Sequence, residues 1–203
     1  MPKPFSKSNR TLTPNEKTKA PGAIRIISGR HKGRKLPVLD SIGLRPTTDR
    51  VKETLFNWLM FQINDKNCLD LFSGSGSLGF EALSRGAKKV TMIEKEKKVY
   101  ENLENSSKLL KDENIKIINT DALDFLKSTQ ESFDLIFLDP PFRKGILNEV
   151  FALLTPNIIP NNSLVYVEQE KENQSEPPSH FKLLKEGSAG QVIFRLYKIE
   201  WLN

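Results

Sequence analysis

Apolar positions beyond residue 67 fall into two alternating kinds of run. "CLDLF" (68–72), "KKVTMIE" (88–94), "IKIINTD" (115–121), "FDLIFLD" (133–139) and "SLVYVEQ" (163–169) are short, nearly continuous and rich in branched residues, so each predicts a strand. The intervening segments "LGFEALSRG" (78–86), "KEKKVYENLENSSKLLK" (95–111), "ALDFLKST" (122–129) and "GILNEVFALLT" (145–155) place apolar residues at helical spacing, and Gly86 stops the first of them. Strands apolar on both sides, separated by helices, imply a mostly parallel α/β sheet covered on both faces, a Rossmann-like architecture. A polar loop, "KENQSEPPSH" (171–180), then precedes "FKLLKEG" (181–187) and "QVIFRLYKIE" (191–200), which read as an antiparallel closing pair. The chain contains no internal repeat.

Before residue 67 the pattern is different. "IRIIS" (24–28) and residues 35–39 predict two short strands, joined by "GRHKGRKL" with two glycines as turn signals. "LRPTTDRVKETLFNWLM" then switches to helix: Thr47 or Thr48 can cap it, Asp49 suits the first turn, and Val51, Leu55, Trp58 and Leu59 form its apolar stripe. The expected organisation is a polar, disordered tail (1–22), a basic hairpin extension (23–45) and one α/β domain (46–203).

Composition adds little to this picture, but the distribution of charge adds much. Residues 1–60 hold thirteen Lys/Arg against four Asp/Glu, leaving eighteen against twenty-one in the remainder. A basic first third on a slightly acidic body predicts a polyanion-binding face on a different kind of core. No apolar run approaches the roughly 20 residues that span a bilayer. The tail lacks the apolar stretch of a secretory signal, so the expected location is the cytoplasm and no membrane partner is expected. The single cysteine, Cys68, excludes an internal disulfide and a Cys-rich metal site; inside a strand pattern it reads as a buried thiol. His31 and His180 lie far apart in polar surroundings, and no metal site is expected.

The candidate chemistry begins at Gly74-Ser75-Gly76-Ser77-Leu78-Gly79, a G-x-G-x-x-G between a predicted strand and helix. Such glycines let backbone approach a ligand at the carboxyl edge of the sheet. Glu94 ends the next strand, where a carboxylate can accept both hydroxyl protons of a ribose diol. These features alone fit either a nicotinamide dinucleotide or S-adenosylmethionine. Three others favour S-adenosylmethionine. Asp70 lies within the strand before the loop, where it can reach the amino end of a bound amino acid. Asp121-Ala122 follows the third strand, at the height for an acceptor to an adenine amine. "FLDPPF" (137–142) ends the fourth.

That last stretch is an acceptor-rich turn. An ionised Asp139 only accepts hydrogen bonds, and Pro140 and Pro141 offer carbonyls without N–H groups. Phe142 supplies a face on which a base can stack. The turn suits an exocyclic amine, whose lone pair must be drawn out of the ring and aimed before it can attack.

Taken together, D-x-F-S-G-S-G-x-x-G, the acids after the second and third strands and D-P-P-F resemble class I methyltransferases that modify exocyclic amines. The wider text, "RIISGRHKGRKLPV", "GLRPTTDRVKETLFNWL", "CLDLFSGSGSLGFEALSRGA", "YVE" and "AGQVIFRLY", resembles the bacterial 16S ribosomal RNA guanine-N2 methyltransferase family of the RsmD type, over about residues 23–199. The resemblance implies a mostly parallel seven-stranded sheet with an antiparallel C-terminal strand. It implies methyl transfer from S-adenosylmethionine to a guanine N2 amine in 16S rRNA, within an assembled or partly assembled small ribosomal subunit; a monomer is the default expectation, since nothing in the sequence reports oligomeric state. By similarity Asp70, Phe72, Ser73, Gly74, Ser75, Gly76, Gly79, Glu94, Asp121 and Ala122 line the cofactor pocket, and Asp139, Pro140, Pro141 and Phe142 form the catalytic turn. Arg25, Arg30, Lys32, Arg34, Lys35, Arg45 and Arg50, with Arg143 and Lys144 after the turn, are the phosphate-contacting candidates. The competing readings are a DNA adenine or cytosine amino-methyltransferase, for whose target-recognition domain the chain has no room, a non-catalytic RNA-binding assembly factor, and a nicotinamide-dependent oxidoreductase, in which FLDPPF has no role.

Overall fold

A computed structural model describes residues 22–39, 49–141 and 145–201. The predicted tail, Arg45, the capping candidates Thr47 and Thr48, and Phe142, Arg143 and Lys144 lie outside the described residues.

The N-terminal hairpin pairs β1 (Ala23–Arg25) antiparallel with β2 (Lys35–Pro37). It is shorter than the apolar run suggests. Past β1, the N–H groups of Ile27 and Ser28 turn away from a partner strand and donate to the Glu81 carboxylate instead, at 2.8 and 3.1 Å. Helix α1 (Asp49–Trp58) follows, then β3 (Asn67–Asp70), α2 (Ser77–Ser84), β4 (Lys89–Glu94), α3 (Lys97–Leu110), β5 (Ile115–Asn119), α4 (Ala122–Ser128), β6 (Leu135–Leu138), α5 (Ile146–Leu153), β7 (Leu164–Glu170), β8 (Phe181–Ala189) and β9 (Val192–Ile199).

Seven strands form one sheet in the order β5-β4-β3-β6-β7-β9-β8. The pairs from β5 through β7 are parallel, while β9 lies antiparallel between β7 and β8. This is the expected fold, with the antiparallel strand at the C-terminus. Its strand alternation divides the core into two layers. Cys68, Val90, Met92, Phe137, Tyr166 and Phe194 face α1, α2 and α3, together with the hairpin residues Ile24, Ile26, Leu36 and Val38. Leu69, Ile93, Ile136, Leu138 and Val167 face α4 and α5. The hairpin thus shares the main core. Cys68 is buried as expected. His180, by contrast, leaves its polar surroundings to stack on Trp201 with ring centroids 3.8 Å apart, because the C-terminal segment returns along β8.

The chain runs outward from β3 through β4 to β5, then returns to lay β6 on the other side of β3. The order therefore reverses between β3 and β6, and a doubly wound sheet opens its ligand crevice at the carboxyl ends of such a pair.

Candidate active site

The glycine loop leaves β3 at this crevice and the Asp139-Pro140-Pro141 turn leaves β6 beside it. The loop is held by its own backbone and by two acids. Gly76 N–H donates to Ser73 O at 2.7 Å, Ser73 N–H to Ile93 O at 3.0 Å, and the Ser73 hydroxyl to Asp70 O at 2.9 Å. Gly74 N–H donates to Glu94 Oε2 at 3.0 Å, and Glu96 N–H to Glu94 Oε1 at 2.8 Å. Glu94 therefore stands at the end of β4, half-buried, and among the described residues one lone pair on each oxygen is engaged by backbone, with acceptor capacity left on each.

The glycines have an internal reason as well as the predicted one. At Gly76, with φ +79°, a Cβ would collide with the Phe80 ring and a Leu103 methyl. At Gly79 it would lie 3.0 Å from Met92 Sδ and 3.1 Å from Asp70 Oδ2. Both positions let α2 close down on the sheet, so the start of the helix sits over the ends of β3 and β4.

Asp70 is buried beneath that helix, and its Oδ2 accepts the Gly79 N–H at 2.9 Å. Burial pushes its carboxyl up to about 7; the Gly79 hydrogen bond opposes the shift and the neighbouring Glu94 charge adds to it. Asp121 caps α4, its Oδ1 accepting Leu123 N–H at 2.9 Å, which holds the carboxylate at the end of β5 with Ala122 buried behind it. Asn119 ties the ends of β4 and β5 together, donating to the carbonyls of Glu94 and Lys95 at 2.8 and 3.0 Å. Phe72 is half-buried against the second core layer, and Ser73 and Ser75 are buried in the loop. All ten predicted cofactor residues thus lie along the carboxyl ends of β3, β4 and β5.

In the turn, Asp139 and Pro140 are half-buried and Pro141 is exposed. Register and alternation send Asp70, Glu94 and Asp139 to the sheet face that carries Met92 and Phe137. Asp70 and Glu94 lie near enough for each to feel the other's charge, and Asp139 follows directly on the end of β6, the next strand along.

Of the basic candidates, Arg25, Arg30, Lys32, Arg34, Lys35 and Arg50 are exposed. Arg30 is also engaged internally: its guanidinium lies 2.8 Å from Asp112 Oδ2, beside His31 Nε2 at 3.1 Å from the same oxygen. The three groups fasten the hairpin turn to the segment after α3, and these hydrogen bonds and charges hold the Asp112 carboxyl below its ordinary range despite the cost of burial.

Sequence reasoning missed two buried pairs. Glu81, fully buried within α2, receives the two hairpin N–H groups, and Arg85 Nε at 2.7 Å, with Lys52 Nζ 3.7 Å away; Lys52 in turn donates to Arg25 O at 2.7 Å. The signal available was a lone acid inside the apolar run "LGFEALS". The other pair is Tyr166 and Glu168 on β7, where the Tyr166 hydroxyl donates to Glu168 Oε2 at 2.8 Å. There the signal was an acid two residues after an aromatic, at the point where the apolar run "LVYV" gives way to "EQE".

The comparisons agree with this geometry. The family model described as "Conserved hypothetical protein 95" matches residues 24–198. A Haemophilus influenzae protein named "Ribosomal RNA small subunit methyltransferase D" is 52% identical over 191 residues, covering 92% of this chain and 97% of its own. An Escherichia coli K12 protein of the same name is 49% identical, covering 88% and 91%. The solved structure of yhhF from Escherichia coli superposes with a TM-score of 0.82 at 47% identity, covering 88% of this chain and 99% of that one. The chain belongs to the "Conserved hypothetical protein 95" family, to which its resemblance to RsmD-type enzymes pointed.

Proposed function

We propose that this protein transfers a methyl group from S-adenosylmethionine to the N2 amine of a guanine in 16S rRNA of the small ribosomal subunit, acting in the cytoplasm as a monomer. The observation that carries the reading is the meeting, at one switch point, of an acceptor-only turn after β6 and a glycine cradle after β3. Relatives about half identical over nearly the whole chain carry the name of a ribosomal RNA small subunit methyltransferase.

The residues present suit S-adenosylmethionine, which when bound supplies an electrophilic methyl on a sulfonium. Glu94 has lone pairs left for a ribose diol, and Asp121, fixed as a helix cap, can take an adenine amine. Asp70 sits next to the loop where a charged amino group would lie; such a cation would draw its carboxyl down from about 7 and favour the ionised form.

The protein's remaining task is to prepare a weak nucleophile. The guanine amine shares its lone pair with the ring. Asp139 and the carbonyls of the proline turn accept from its hydrogens, favour a more tetrahedral nitrogen, and stabilise positive charge as it develops there. Two prolines fix this geometry, so little ordering remains when the base arrives. No strong base is needed, because the amine proton becomes acidic once the nitrogen carries the methyl, and Asp139 can accept it. Exposed arginines and lysines of the hairpin and α1 hold the RNA backbone.

Labelled S-adenosylmethionine incubated with small subunits lacking guanine-N2 methylation tests this, with naked 16S RNA and duplex DNA alongside. N2-methylguanine in the subunits is the expected product. Label in DNA alone would establish the rival amino-methyltransferase, and no label with cofactor bound would leave an RNA-binding factor.

A further inference from the structure

The turn has a second carboxylate beside it that the proposed reaction leaves without a task. Strand β7 pairs Val167 with Leu138, the last residue of β6, then runs on to Glu170 against β9. In that register Glu168 stands beside Asp139. Alternation turns both toward the face of Phe137 and Tyr166.

Tyr166 is fully buried, its ring edge-on to Phe137, and its hydroxyl donates to Glu168 Oε2 at 2.8 Å. The same hydroxyl feels the Asp139 charge, which helps to push its pKa well up after burial and Glu168. It therefore sits within reach of both acids and has spent its one proton on Glu168. The Tyr166 hydroxyl occupies Oε2 of Glu168, and the residue, 9% exposed, keeps a little of its surface open. A carboxylate has more acceptor sites than one hydroxyl fills, so Glu168 can take a further N–H from a base placed against the turn.

Guanine carries the complement. Its exocyclic amine adjoins a ring N1–H, so two donors stand side by side on one edge. Adenine and cytosine place an acceptor at the ring nitrogen beside their amines. Two neighbouring acceptors, one at the amine and one at the ring nitrogen, therefore fit guanine and oppose the other two.

We propose that Glu168 selects guanine by accepting its N1–H while the Asp139 turn accepts the N2 amine, with Tyr166 as the residue that positions Glu168. The inference rests on the guanine-N2 reading above. It makes base choice a property of β7, separate from the cofactor cradle and from phosphate contacts.

The test compares wild type with Glu168→Leu, Glu168→Gln and Tyr166→Phe in single-turnover methyl transfer to unmethylated small subunits, with cofactor Kd measured on each. Burial pushes the Glu168 carboxyl up while the Tyr166 O–H opposes that shift, and an arriving N1–H would favour the ionised form further. Glu168→Leu is expected to slow transfer about 100-fold, the loss of a hydrogen bond to that carboxylate, with cofactor Kd unchanged. Glu168→Gln keeps an oxygen for N1–H and is expected to stay within about 10-fold of wild type. The deciding measurement uses subunits rebuilt with 2-aminopurine at the modified position, which keeps the amine and lacks N1–H. Wild type should slow about 100-fold on this base, while Glu168→Leu shows no further loss, because the contact is already gone. Losses that multiply, or Glu168→Leu at the wild-type rate, would overturn the proposal while leaving the guanine-N2 reading intact. If Glu168→Leu fails to bind cofactor, Tyr166→Phe decides: it should slow guanine but not 2-aminopurine, and equal slowing of both would reduce the pair to packing. Wild type that places no methyl on guanine N2 would remove the underlying reading and the inference with it.

Discussion

Burial pushes the Asp70 carboxyl up to about 7, against the pull of the Gly79 N–H, from an ordinary value of 3.8. The folded protein therefore holds this proton more tightly than the unfolded chain does between about pH 4 and 7. Its contribution is fully present below the unfolded value and is lost as pH rises through the folded one. Asp70→Asn, whose amide oxygen can still accept from Gly79, should accordingly gain in Tm relative to wild type when both are moved from pH 5 to pH 8. A constant gap would show that Asp70 is ionised in the cofactor-free protein. Glu94 already accepts from two backbone N–H groups, Gly74 and Glu96. Glu94→Ala should raise cofactor Kd about 10-fold or more in equilibrium binding, combining the lost diol contact with a loosened Gly74. An unchanged Kd would take Glu94 out of the ribose site. The positions of these acids were legible as strand-end residues. Their engagement was not, because a carboxylate's partners in the fold are backbone N–H groups that no sequence pattern prints.

At the scale of elements, the contact that orders the hairpin is the Glu81 cluster. Glu81 receives Ile27 and Ser28 N–H, while Ser84 O accepts Arg30 N–H at 2.8 Å and Ser84 Oγ accepts His31 N–H at 3.0 Å. One face of α2 thus docks the basic hairpin, and its first turn closes over Asp70. Glu81→Ala should destabilise the fold by about 3–5 kcal/mol in urea unfolding, since it strips the Ile27 and Ser28 N–H groups and Arg85 of their acceptor and leaves buried Lys52 only the exposed Asp49. Lys52→Met in the same chain should cost less than its effect in wild type, because the charge it removes is by then uncompensated. Additive losses would mean that the two charges do not interact. The alternation of strand and helix was readable from residue 67 onward, where apolar runs are continuous. The first strand of the hairpin was read three residues too long, because the N–H groups of Ile27 and Ser28 go to Glu81 rather than to a ladder. Ile26 still exchanges backbone hydrogen bonds across the hairpin, its N–H donating to Arg34 O at 3.0 Å and its carbonyl accepting Gly33 N–H at 2.9 Å, while its side chain is buried in the main core.

Across the whole molecule, charge and chemistry are separated. Exposed basic residues cluster on the hairpin and α1, while carboxylates gather at the carboxyl ends of the parallel strands. RNA affinity should fall steeply with salt, and Lys32→Ala or Arg34→Ala should each lower the slope of log K against log salt by about 1. Arg30→Ala should lower it less, because its guanidinium is already paired with Asp112. Equal slopes for all three variants and wild type would remove the hairpin from the RNA interface. The basic front end was visible in the count of charges, but which side chains remain available depends on Asp112, eighty residues away in the chain.

The central claim is that the turn after β6 performs the chemistry while the ends of β3, β4 and β5 hold the cofactor. Asp139→Asn separates the two most directly, with cofactor Kd and single-turnover methyl transfer to small subunits measured on one preparation. The account predicts transfer slowed by about 100-fold or more with Kd within about twofold of wild type. Cofactor affinity lost in step with transfer would contradict it, and would return Asp139 to the binding pocket.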